Sequence, residues 1–182
     1  MKNVTKFLAL AMVFFATQAF AQVKIGHINI NELVELMSET DTVLLTLQKY
    51  AKEYDDNLMG MRQEYTTKIQ TYQQMNSVWT AATLEEKTKE LRDFEERIMM
   101  YQQKAGQEME MHKQNLFAPV YEKAQKAIDK IGAEGGFTYI IDKRTVAFIG
   151  DGSVDVLPLA KKELGIPESK VAPTQIPAPQ AQ

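Results

Sequence analysis

The chain of 182 residues contains no cysteine, only two histidines, a single tryptophan and no proline before position 119. Without cysteine there is no disulfide scaffold, thiolate zinc site, cysteine nucleophile or lipid-modified N-terminal cysteine. No stretch reaches 18 uninterrupted apolar residues, so stable membrane insertion is not expected. A basic excess is missing too: 21 Lys and Arg against 24 Asp and Glu give a net charge of -3, which argues against a nucleic-acid binder. His27 and His112 fall in separate elements, and no H-E-x-x-H, phosphate loop, G-x-S-x-G or zinc-ligand spacing occurs. The chain reads as a non-enzyme with no cofactor and no metal site.

What is present begins with an export signal. Lys2 and Lys6 form a basic n-region, residues 7–16 an apolar h-region too short to span a bilayer, and Ala19-Phe20-Ala21 a small-x-small cleavage site. Cleavage after Ala21 leaves 161 residues with 19 basic and 24 acidic side chains, a net charge of -5. In a Gram-negative cell the destination is the periplasm.

The mature chain changes pattern several times. Residues 23–30 form a short β-rich run, and 31–37 suit one or two helical turns with Asn31 as N-cap. Apolar residues then recur at Leu47, Ala51, Tyr54, Leu58, Met61, Tyr65, Ile69, Tyr72 and Met75, a heptad seam with one stutter. Thr83-Leu-Glu-Glu86 has capping-box spacing with Thr83 as N-cap. A second seam follows at Leu84, Leu91, Phe94, Ile98, Tyr101, Ala105, Met109, His112 and Leu116. Two long helices joined by a short turn predict an antiparallel hairpin. Pro119 should kink or restart the second helix, and Gly135-Gly136 should end it. Residues 137–141 and 145–149 read as a β-hairpin, followed by a turn at 150–153 and a last helix over 156–164 capped by Asp155. Residues 167–182, rich in Pro, Ala and Gln, read as a disordered tail.

Length turns this pattern into an architecture. A helix over 43–78 would be about 54 Å long, whereas a compact globule of this size has a diameter of roughly 39 Å. The hairpin must therefore project from a small body. The expected fold class is mainly α with a small β body: a coiled-coil arm over 43–118 and a β-rich body over 22–42 and 119–166. Three short strands and a bare helical hairpin both gain by burying surface in an oligomer.

This order of elements resembles the Skp (OmpH) family of periplasmic chaperones for outer-membrane proteins. The likeness is carried by the signal peptide, by "KIGHINI" leading into "NELVELM", by the charged heptad hairpin, and by "FTYIIDKRTVAFIGDGSVDVLPLAKKELG". It implies a homotrimer whose chains share a β body, with three helical arms that hold unfolded outer-membrane proteins without ATP. In one respect the chain departs from the family's commonly basic arms: residues 43–118 carry ten basic and twelve acidic side chains.

A chaperone that holds clients without nucleotide needs weak, adaptable contacts, which methionine supplies. Seven of the ten methionines lie in the hairpin. Met61, Met75 and Met109 fall on the seam, while Met59, Met99, Met100 and Met111 lie off it and are candidates for client contact. Trp79, near the tip, is open to client contact or to closing the hairpin against Leu84. Gly60 and Gly106 sit inside helices at nearly the same distance from the turn, compatible with arm flexing or with close helix packing. The rival from another class is a structural coiled-coil adaptor or spacer of the cell envelope.

Overall fold

In a computed structural model of the chain, residues 23–172 are described. The export signal read over 1–21 and the last ten residues of the tail lie outside them. Strand β1 (Ile25–Ile28) alternates half-buried and buried side chains, with Gly26 and Ile28 facing the core. It leads into helix α1 (Ile30–Leu36), whose N-cap is Asn29 rather than Asn31. Asn29 keeps extended backbone, and its Oδ1 accepts the Glu32 N–H at 3.3 Å, so the strand gives way to helix earlier than the β-rich composition implied.

Met37 alone separates α1 from α2 (Ser38–Met75). The buried Thr40 hydroxyl donates back to the Val34 carbonyl and ties the two helices together. Helix α3 (Ala81–Gly135) begins at Thr80, whose hydroxyl accepts the Thr83 N–H; Thr83 is therefore the capped residue and not the cap. It also runs unbroken through Pro119, where the sequence predicts a kink or restart. Pro119 and Asn115 are both exposed, so the Asn115 carbonyl that proline leaves without a partner can bond to water. At 1.5 Å per residue, α2 extends about 57 Å and α3 about 82 Å, and the two run as an antiparallel pair with the turn at 76–80.

The predicted β-hairpin does not form. Strand β2 (Tyr139–Asp142) ends in a 3-10 turn, Lys143–Thr145, organised by Asp142: its carboxylate accepts the Arg144 N–H and pairs with the guanidinium at 2.6 Å. Residues 146–149 are in no strand, and Phe148 is 85% exposed. The third strand is instead β3 (Val154–Asp155), and the sheet order β2-β1-β3 is parallel throughout. Helix α4 (Leu157–Glu163) follows at once; Asp155 accepts the Leu157 N–H at 2.9 Å, and Pro158 occupies the first turn, where no intrahelical bond is lost.

The core lies where these pieces meet the roots of the long helices. Ile28, Leu33, Leu36, Met37, Val120 and Val156 are almost fully buried, joined by Ala124, Ile128 and Ile131 at helical spacing along α3. Val43 belongs to the same cluster, with Leu47 and Leu116 packed on its edge, so the arm departs from the body just beyond them. Residues 167–172, read from composition as the start of a disordered tail, lie against this body. The buried Lys161 ammonium donates to the carbonyls of Glu168 at 2.6 Å and Lys170 at 2.8 Å, and Ala172 packs on the core.

Candidate functional site

The arm beyond Leu47 and Leu116 is a two-helix ladder built largely from aromatic rungs. Tyr50 stacks on His112 at 4.2 Å, Tyr54 meets Tyr101 edge-on at 6.4 Å, Tyr65 stacks on Phe94 at 6.0 Å and Tyr72 meets Trp79 edge-on at 5.9 Å. Tyrosine suits a seam only two helices wide, because the ring is half covered while the hydroxyl reaches the neighbouring helix. The Tyr54 hydroxyl donates to Glu108 at 2.9 Å, and this bond to a carboxylate pushes its pKa up to about 12. Lys68 and Lys87 both donate to Glu90, at 2.5 and 2.8 Å, and hold its carboxyl down to about 2. Phe94, 3% exposed and flanked by the Arg97 guanidinium at 4.5 Å, is the one buried side chain of the ladder.

With the seam consumed by mutual packing, the off-seam methionines face solvent. Met59, Met99, Met100 and Met111 are 51–62% exposed. Met61 and Met109 are half-buried in the seam, whereas Met75, expected there, is exposed at the end of α2. The four candidates do not converge on one point. Met100 and Met111 are 11 residues apart, just over three full turns, and share one flank of α3 outside the seam. The facing pairs Tyr54–Glu108 and Tyr65–Glu95 set the register that brings Met59 of α2 within one helical turn of the height of Met99 of α3.

The remaining candidates also find their places. Trp79 is half-buried against Tyr72 and, with Leu91, lines a groove of about 230 Å³ at the tip. A Cβ added at Gly60 or Gly106 would meet no atom within 4 Å, so close helix packing does not explain either glycine. His27 contacts Ser153 at 2.8 Å in the sheet, far along the fold from His112 in the arm. Among the described residues no three His, Asp or Glu side chains gather as a metal site, and no helix is long and apolar enough to cross a membrane. The cross-seam tyrosine–glutamate bonds and the exposed Phe148 escaped the sequence reading. The first could have been sought in the seam tyrosines set opposite Glu95 and Glu108.

The family described as outer membrane protein (OmpH-like) matches residues 24–164, which spans β1 to the end of α4. The chain belongs to the OmpH-like family. Among similar proteins is the chaperone protein Skp of Yersinia enterocolitica, 27% identical over 152 residues that cover 81% of this chain and 90% of that one. A crystal structure of an OmpH-like protein from Caulobacter crescentus superposes with a TM-score of 0.67. It covers 81% of this chain and 87% of that chain at 15% identity, a likeness of fold. The mainly α architecture with a small sheet and a long helical hairpin is thus the OmpH-like fold.

Proposed function

We propose that this OmpH-like chain is an ATP-independent holdase of the periplasm that binds unfolded outer-membrane proteins between helical arms and keeps them from aggregating. The observation that carries the reading is the division of labour in the arm. Its apolar seam is used up in pairing α2 with α3, yet four flexible methionines remain outside it with more than half their surface in water. Surface of that kind, weakly apolar and deformable, suits many alternative contacts and fast release.

The body supports the homotrimer that goes with this function. Parallel sheets ordinarily have both faces covered. Here helices cover the Gly26 and Ile28 face, while Ile25, His27 and Ile141 on the other face are only half-buried and Tyr139 is exposed. Shared strands from neighbouring copies would cover that face and the exposed Phe148. Residues 22–42 and 119–166 then act as the assembly body and 43–118 as the arm, with Gly60 and Gly106 letting the arm bend around clients of different size. Delivery to the periplasm follows from the signal over 1–21.

The test is dilution of a urea-unfolded outer-membrane β-barrel into buffer containing the mature protein and no nucleotide, followed by light scattering. Suppressed scattering is expected. An adaptor or spacer would leave the barrel to aggregate.

A further inference from the structure

The two arm helices leave a gap in their seam. Ala51, Tyr54, Leu58, Tyr101 and Ala105 floor an open groove of about 250 Å³, roughly 26–36 Å along the arm from the helix ends at its tip. The gap arises because two rungs of the ladder are alanines, too small to reach across. Pockets for drug-sized ligands and cofactors hold about 300–1,000 Å³, so this one is sized for a single side chain.

Its rim is chemically one-sided. Asp55 and Gln102 border the groove, and Asp55 makes no ion pair among the described residues. The nearby Lys52 bonds Asp56 at 2.8 Å and attracts Asp55 only through space, without an ion pair. Met59 stands one helical turn beyond Asp55, and Met99 nearly one turn before Gln102, both on the tip side of the groove. The groove therefore offers an apolar floor, a carboxylate that makes no ion pair and two flexible methionines beside it.

We infer that this groove is a binding site for an aromatic or large aliphatic side chain of an extended polypeptide, followed two residues later by Lys or Arg. In an extended chain, residues two apart lie on one side about 6.5–7 Å from each other. That matches the rise of about 6 Å from Ala51 on the floor to Asp55 on the rim. The apolar side chain rests on Ala51 at the body end of the groove, and the basic one meets Asp55 one turn toward the tip. The site gives this arm, net negative over 43–118, a preference for basic-aromatic segments. The inference takes its biological occupant, an unfolded client, from the holdase function, whereas the groove itself stands on the geometry of the arm.

The experiment uses the full mature chain with ¹³C-methyl-labelled methionine, titrated with a Gly/Ser/Asn dodecapeptide containing Phe-Ser-Arg or, as control, Phe-Ser-Glu. The Met59 and Met99 methyl signals are expected to move, with about three- to fivefold tighter binding of the Arg peptide, the range of an exposed ion pair. Asp55→Lys should reverse the preference, and Ala105→Leu should fill the floor and abolish both responses. The inference is overturned by no binding at millimolar peptide, by equal binding of the two peptides, by shifts spread evenly over all arm methionines, or by an unchanged preference in Asp55→Lys. A chain that keeps a β-barrel soluble without the peptide signature loses the groove and keeps the holdase function. The converse result removes the holdase function and keeps the groove.

Discussion

Replacing Phe94 by alanine should melt the outer half of the arm and leave the body standing. Phe94 is 97% covered, stacks on Tyr65 at 6.0 Å and carries the Arg97 guanidinium at 4.5 Å and the Lys68 ammonium at 5.7 Å. Burial of a phenylalanine contributes about 1.5–3 kcal/mol, and an aromatic pair about 0.5–1.5 kcal/mol more. The loss is set at about 3 kcal/mol, the low end for Phe→Ala, because a seam with water on both flanks can close partly over the void. At about 1.4 kcal/mol per factor of ten, that raises the local opening constant roughly 100-fold. Native-state amide exchange reads this directly, since a two-helix arm opens separately from a packed core. Amides over 62–72 and 88–98 should exchange about 100-fold faster, while those of β1 and of 120–131 keep their protection. Equal acceleration of body and arm, or acceleration of less than about fivefold in the arm, would refute the aromatic ladder as the arm's source of stability.

Glycine inside a helix costs about 1 kcal/mol relative to alanine, and a Cβ at Gly60 or Gly106 meets open space. The Gly60→Ala, Gly106→Ala variant should therefore be more stable by about 1–2 kcal/mol in an arm melt and show a narrower spread of arm separations by small-angle scattering; an unaltered spread counts against flexing. Changing Met59, Met99, Met100 and Met111 together to Gln should raise the protein concentration needed for half-suppression of β-barrel aggregation by at least about threefold with oligomer mass unchanged, and unimpaired protection would remove these four from the client surface. Glu90 is depressed in the folded state, from its ordinary 4.5 to about 2, first by the Lys68 hydrogen bond and then by that of Lys87. What it contributes is complete above pH 4.5 and is lost as the pH falls toward 2. The acid-induced drop in arm melting temperature over that window should be smaller in Glu90→Gln than in wild type, and equal drops would contradict the assignment.

The arm was legible in the sequence because its order is local. Spacings of three and four placed the seam on Tyr54, Leu58, Phe94 and Ile98; Phe94 is buried and the other three are half-buried, whereas Ala51 and Met75, placed on the same seam, are exposed. The body was harder to read because its pairings join residues more than a hundred positions apart, such as Gly26 with Ile140 and with Val154. Two β-branched runs separated by three residues looked like a hairpin, yet Asp142 folds Arg144 back on itself and turns the chain away from antiparallel pairing. Composition likewise hid the packing of 167–172, which depends on the Lys161 ammonium finding two carbonyls. In the arm, the exposed methionines follow from the heptad alone. The groove at Ala51 and Ala105 needed the cross-seam register, which no spacing within one helix supplies.

The central claim is that this chain holds an unfolded outer-membrane protein without a nucleotide. Sedimentation velocity of the mature protein mixed with a urea-unfolded β-barrel and diluted in the absence of ATP tests it most directly. One soluble species with the mass of three chains plus one barrel is expected. A free oligomer at its own mass with the barrel in the pellet would contradict the claim.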